Sequence, residues 1–252
     1  MSVLLSTVGL RKRFGELPAV DGVDLEIGEG VLTAIIGPNG AGKTTLINLL
    51  TGALAPDAGR VIFRGEEVTR LPSHQRVRRG IGRSFQLMTI FPRLTVEQNL
   101  LVPVLARLGV GHRPLAPLRS QAAAHAEAER ILRDVGLWEE RAQPAGALSH
   151  GDQRLLELGL AVASAPVLCF LDEPSSGMNP LERTTVLDLI RSLSAERQTT
   201  FVIVEHDMDV VFSLAERIVV MNRGRILADG SPGAIREDRD VRAVYLGEEG
   251  AP

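Results

Sequence analysis

The residues best equipped for chemistry lie in three short stretches. The first, Gly37-Pro38-Asn39-Gly40-Ala41-Gly42-Lys43-Thr44, spells G-x-x-x-x-G-K-[ST]. It follows the apolar run Val31–Ile36 and opens a helix-like run, Thr45–Leu50. Strand, glycine loop and helix in that order make a phosphate cradle. Glycines let successive backbone N–H groups converge without a Cβ in the way. The helix start adds unpaired donors with partial positive charge. Lys43 is expected to reach the β- and γ-phosphates, and Thr44 to hold Mg²⁺ through its hydroxyl. Pro38, Asn39, Gly40, Ala41, Gly42 and Thr45 complete the nucleotide-binding set.

The second stretch is an acid pair ending an apolar run, Leu168-Cys169-Phe170-Leu171-Asp172-Glu173. Downstream of a phosphate loop, a buried parallel strand delivers such carboxylates to the crevice where nucleotide phosphates sit. Asp172 is expected to bind Mg²⁺, directly or through water, and Glu173 to polarise the attacking water. The third stretch is Leu148-Ser149-His150-Gly151-Asp152-Gln153-Arg154, which heads the helix-like run Leu155–Val162. Ser149 suits an N-cap, and Asp152 sits where the helix dipole favours negative charge. With Gly151 permitting close approach, this helix start is a second anion-binding end. Two such ends in one chain suggest a nucleotide clamped between two protomers.

Short strands must position these residues: Leu4–Leu10, Val23–Ile27, Val31–Ile36 and Arg60–Phe63. From Thr95 to Trp138 the pattern turns helical, with a Gly/Pro-rich break over 109–117 and an Ala/Glu-rich helix over Gln121–Val135. Strand and helix then alternate: Val167–Leu171, Leu181–Leu193, Thr200–Val204, Asp207–Ala215, followed by strands Arg217–Met221 and Arg225–Ala228. Short helical segments end the chain. Such alternation implies a mostly parallel sheet with helices on both faces, interrupted by a helical insertion.

At 252 residues and a net charge of −3, the chain has ample core and lacks the basic footprint of a nucleic-acid partner. Its one basic concentration, Arg76, Arg78, Arg79 and Arg83, reads as a solvated face, with a docking surface near a membrane as the alternative. The lone Cys169, inside an apolar run, excludes an intramolecular disulfide framework and suits a reducing cytosol. The N-terminus shows no secretory pattern, and no apolar run approaches the roughly 20 residues of a membrane span. Work at a membrane would therefore go through a partner.

These motifs resemble those of the ATP-binding subunits of ABC transporters. Beyond the phosphate loop and acid pair, the chain carries a signature written LSHGDQ, a glutamine in Arg83-Ser-Phe-Gln86, and a histidine after a strand in Val202-Ile-Val-Glu-His206. The resemblance covers nearly the whole chain. It implies an α/β P-loop NTPase with a mostly parallel core sheet, an N-terminal antiparallel β-subdomain and an inserted α-helical subdomain. It also implies a single domain over residues 1–252, with the helical subdomain at approximately 87–163. It further implies ATP and Mg²⁺ as ligands. By the same resemblance Gln86 is expected to sense Mg²⁺ and the attacking water, His206 to contact the γ-phosphate, and Phe14 to stack on adenine. Ser149 and Gly151 touch the γ-phosphate held by the partner.

Two departures stand out. His150 and Asp152 replace a glycine and a glutamine of the more usual signature, and Asn179 stands where most relatives carry an aspartate. The run LSHGDQRLLELGLA, the Gly-Met-Asn-Pro180 loop, Glu205-His206-Asp207-Met208 and the ending Val241–Gly247 resemble importers for branched-chain amino acids, urea and other amides. That resemblance implies a second ATPase, two permeases and an external substrate-binding protein as partners, at the cytoplasmic face of the membrane. A lipopolysaccharide-export ATPase, or a nucleotide-binding assembly subunit with little turnover, are the alternatives.

Overall fold

The computed structural model describes residues 2–83, 90–109, 122–196 and 198–246. Two sheets organise them. The first is antiparallel and contains β1 (Val3–Phe14), β2 (Leu17–Gly28), β4 (Ala58–Phe63) and β5 (Glu66–Glu67), in the order β2-β1-β4-β5. The second contains β3 (Thr33–Ile36), β6 (Ile81–Arg83), β7 (Leu168–Asp172), β8 (Thr200–Val204), β9 (Arg217–Asn222) and β10 (Arg225–Gly230). Its order is β10-β9-β3-β8-β7-β6, parallel throughout except for the β9–β10 hairpin.

The core strands read as unbroken apolar runs because both faces of the sheet are covered. Side chains alternate between the faces. In β7, Leu168 and Phe170 enter one core with the buried residues of α1 (Lys43–Thr51) and the antiparallel sheet. Cys169 and Leu171 enter the other. There they meet α3 (Val96–Arg107), α4 (Ala122–Asp134), α5 (His150–Ala163), α6 (Pro180–Ala195) and α7 (Met208–Leu214). Phe170 is fully buried, so truncating it to alanine would cost about 3–5 kcal/mol. Burial also pushes the Cys169 thiol up to about 12, which leaves it a small apolar side chain and no nucleophile.

The basic cluster is not a solvated face. It spans α2 (Ser73–Arg78) and β6, and two of its members are inside. Arg76 is 1% exposed. Its guanidinium donates to the carbonyls of Leu49 and Leu50 at 2.7 Å, Thr69 at 2.9 Å and Leu71 at 3.0 Å. The carbonyls at the end of α1 lack helical partners and carry partial negative charge, and a guanidinium has donors enough for all of them. Burial lowers the Arg76 pKa to about 10. Arg83 is held inside by a carboxylate, described next.

Candidate nucleotide-binding site

Because β3, β7 and β8 are parallel, their C-terminal ends share one edge of the sheet, where ligands of open α/β sheets bind. The loop after β3 demands glycine at two positions. Gly37 has φ +155°, and a Cβ there would lie 2.3 Å from the Met221 carbonyl oxygen. Gly42 has φ +103°, and its Cβ would lie 2.2 Å from the Ala19 carbonyl oxygen. Gly42 opens α1 with no side-chain cap, whereas α3, α5, α6 and α7 each begin with one. The first N–H groups of α1 thus face an open cavity of about 560 Å³.

That cavity is lined by Asn39, Gly40, Ala41, Gly42, Lys43, Thr44 and Thr45 on one side, Asp172 and Glu173 on another, and Phe14 and Leu17 at a third. Pro38 contributes its carbonyl, which accepts from Lys43 Nζ at 3.2 Å; the Gly37 carbonyl accepts at 2.6 Å. Burial lowers the Lys43 pKa, and the charges of Glu173 and Asp172 partly offset that. Phe14 ends β1 and is 52% exposed, so it lies at the rim and not in the core.

The acid pair is divided by environment. The Asp172 side chain is almost fully enclosed, and its Oδ2 accepts from Arg83 Nη2 at 2.9 Å. Arg83 Nη1 in turn donates to Asn48 Oδ1 at 2.5 Å, which ties α1, β6 and β7 together. Glu173 is half-exposed, adopts φ +48°, and donates its N–H to the Val204 carbonyl at 2.9 Å. His206 Nδ1 lies 3.7 Å from Glu173 Oε1. Gln86 lies outside the described residues, as do Leu87 and Met88.

Ser149 and Gly151 do not line this cavity. They begin α5, where Ser149 Oγ accepts from the Asp152 N–H at 3.1 Å and donates to Asp152 Oδ2 at 2.7 Å. Gly151 sits against Glu182: a Cβ would meet Glu182 Cγ at 2.8 Å. Asn179 caps α6, its Oδ1 accepting from the N–H groups of Leu181 and Glu182 at 3.0 Å each. An aspartate would accept the same two bonds, so the substitution changes charge and not the local fold.

Sequence reasoning missed Arg83 and Glu205. Arg83 was hidden among neighbouring arginines. Glu205 had a signal: it follows the apolar run of β8 just as Asp172 ends that of β7.

The donors fit a small hard cation. Thr44 and Asp172 line one cavity and offer a hydroxyl and a carboxylate, and among the described residues no group of three or more acids, histidines or cysteines forms a metal cage. Mg²⁺ suits that arrangement, because it takes one or two carboxylates and completes its shell with phosphates and water.

A glycine loop opening an uncapped helix, beside an acid-ended parallel strand, defines a P-loop nucleotide-binding ATPase of the α/β class. A family described as ABC transporter matches residues 20–176, and one described as branched-chain amino acid ATP-binding cassette transporter matches residues 225–251. The chain belongs to the ABC transporter family, as one of its ATP-hydrolysing, ATP-binding cassettes. Over 250 residues it is 41% identical to the high-affinity branched-chain amino acid transport ATP-binding protein BraF of Pseudomonas aeruginosa, covering 97% of this chain and 98% of that protein. It is 33% identical to the lipopolysaccharide export system ATP-binding protein LptB of Acidithiobacillus ferridurans, covering 99% of each. Among solved structures, an ATP-binding cassette of an ABC transporter in its ADP conformation superposes with a TM-score of 0.85 at 33% identity, covering 98% of this chain and 100% of that one.

Proposed function

We propose that this chain drives import of branched-chain amino acids, or of related amides and urea, from the cytoplasmic face of the membrane. The match of residues 225–251 to a branched-chain amino acid cassette carries this reading, because that segment lies outside the shared catalytic motifs. The higher identity to a branched-chain amino acid relative than to a lipopolysaccharide-export one supports it over the export alternative.

In this reading Phe14 stacks on adenine, and the N–H groups of residues 39–45 with Lys43 Nζ hold the phosphates. Lys43 Nζ uses two of its three donors on the Gly37 and Pro38 carbonyls, which leaves one for a phosphate oxygen. Thr44 and Asp172, with Gln86, would hold Mg²⁺, which would neutralise phosphate charge. Glu173 accepts the proton of the attacking water, and His206 contacts the γ-phosphate from the neighbouring strand end. The signature motif of a second ATPase, a different chain in this subgroup, covers this nucleotide, while Ser149 and Gly151 of this chain cover the one the partner holds, which closes a sandwich. Hydrolysis reopens it. No helix among the described residues is long and apolar enough to cross a membrane, so two permeases would anchor the protein. Phe91, exposed before α3, is a candidate contact for a permease helix, while Ile90 packs into the core.

The test is capture of the full chain from gently solubilised native membranes. Two distinct permeases and a second ATPase, with an associated amino-acid-binding protein, are the expected companions. Lipid-export components would replace the importer reading, and a preparation free of any membrane partner would end it. In the same preparation, Phe91→Asp should lose the permeases while retaining ATP affinity.

A further inference from the structure

Glu205 is a buried acid beside the site that the reaction scheme does not use. It stands between the last residue of β8 and His206 and is 1% exposed. Such acids are rarely this buried without a cation. Its Oε1 accepts two bonds from one residue, the Ser175 hydroxyl at 2.7 Å and the Ser175 N–H at 3.2 Å. Its Oε2 is buried with no partner among the described residues. Burial pushes the carboxyl pKa up, against the Ser175 bonds and the charge of His206.

Ser175 lies two residues beyond Glu173, whose backbone occupies the left-handed region that L-residues avoid. Strained backbone of this kind persists only where surrounding bonds over-determine it. Three attachments do so here. The Glu173 N–H donates to the Val204 carbonyl at 2.9 Å, and the Ser176 N–H closes the turn on the Glu173 carbonyl at 3.1 Å. The third is Ser175 on Glu205. Two of the three acceptors therefore belong to consecutive residues, Val204 and Glu205, immediately before His206. The turn bearing Glu173 and the strand end bearing His206 are fastened to each other across the edge of the sheet.

We propose that Glu205 is a positioning residue: through Ser175 it fixes the turn that carries Glu173 and so sets the placement of Glu173 against His206. This rests on the reading of Glu173 as the general base. A partner of different chemistry would not serve as well. Two donors from one residue converge on one oxygen, and only a carboxylate or an amide offers an acceptor on a stem of this length. Burial of an Oε2 that has no partner among the described residues costs stability and offsets part of what the Ser175 bonds supply, so stability alone is a poor account of the acid.

The experiment compares Glu205→Ala, Glu205→Gln, Ser175→Ala and the double alanine variant in the full chain, by single-turnover hydrolysis, fluorescent-ATP binding and thermal unfolding. Misplacing a reacting group by about 1 Å costs on the order of 100-fold, so Glu205→Ala should lower the hydrolysis rate about 10- to 100-fold. ATP affinity should stay within about threefold, since no phosphate contact changes. Glu205→Gln should recover to within about fivefold of the wild type, because its amide oxygen still accepts both bonds. Ser175→Ala should slow the reaction in the same direction, and the double variant should be no slower than Glu205→Ala, as expected for one shared interaction. If Glu205→Ala does not fold, Ser175→Ala and Glu205→Gln decide alone. Wild-type rates in Ser175→Ala, a glutamine variant as slow as alanine, or parallel loss of affinity and rate would each overturn the proposal. Glu173→Gln is the control. If it is inactive while the Glu205 variants are normal, only the positioning role falls. If it turns over normally, the general-base reading falls first and takes the positioning role with it.

Discussion

The N-termini of α1 and α5 are both anion-binding ends by sequence, yet the structure finishes them in opposite ways. α1 begins after Gly42 without a side-chain cap, inside a cavity, with Lys43 beside it. α5 begins with a hydroxyl already committed: Ser149 accepts from the Asp152 N–H and gives its own proton to the Asp152 carboxylate. A second carboxylate, Glu182, packs over Gly151. One end has its positive partial charge unanswered, and the other has satisfied its donor and placed two negative groups nearby. A phosphate can therefore enter the first end unaided. At the second it must displace Ser149 from Asp152 and face the repulsion of two acids. One end is built to bind, the other to bind conditionally, which is what a site completed by a second protomer needs.

The largest effect separates binding from chemistry at the α1 end. Glu173→Gln should preserve nucleotide affinity and cut turnover by at least about 100-fold, measured as phosphate release under saturating ATP. Turnover within several-fold of wild type would remove Glu173 from the role of base. The next contrast is between the glycines. Gly42→Ala forces a Cβ to 2.2 Å of a backbone oxygen at φ +103°, and should cost about 2–4 kcal/mol in urea unfolding. Gly151→Ala meets the Glu182 side chain rather than backbone, with Cγ at 2.8 Å, and shifting it loosens the 3.1 Å bond from the Asn179 N–H, so it should cost less, about 1 kcal/mol. Equal losses would mean that the two ends are equally rigid. Smaller again is Phe14→Ala, which removes one exposed stacking face; an offset-stacked aromatic contributes roughly 0.5–1.5 kcal/mol, so affinity should fall about two- to tenfold. Isothermal titration with ATP and with triphosphate alone tells stacking from phosphate binding, since only the first should weaken.

The α1 end was legible in sequence because its chemistry is local. Residues 37–44 carry their spacing within one loop, and β8 coincides with the apolar run Thr200–Val204. Strand edges were harder: β1 runs on to Phe14 through three consecutive charged residues, Arg11, Lys12 and Arg13, that the apolar count does not reach. α2 was missed because its residues, from Ser73 to Arg78, show no apolar period. What could not be read were pairings set by the fold. Arg83 meets Asp172 across a separation of 89 residues, and Ser175 meets Glu205 across 30. Arg76 looked like solvent-facing charge because nothing local reveals the helix end that needs its donors. Asn179 looked like a lost charge, and only the structure shows its oxygen capping α6.

Asp152 sharpens the comparison most finely. If its carboxylate holds Ser149 back, Asp152→Gln should leave ATP binding by the isolated chain unchanged, because the α1 end does that work alone. Closure onto a second protomer should become easier. The replacement removes one like charge from an exposed helix end, an effect of roughly 0.5–1 kcal/mol, so the ATP concentration for half-maximal sandwich formation should fall about threefold. Sedimentation of the Glu173→Gln background across an ATP series would measure this, since closed sandwiches accumulate when hydrolysis is blocked. The advantage should shrink as salt is raised, because exposed charges are screened. A salt-independent gain would instead mean that glutamine makes a new contact. No change at any salt would mean that Asp152 only supports the Ser149 cap, and that the two ends differ less than their bonds imply.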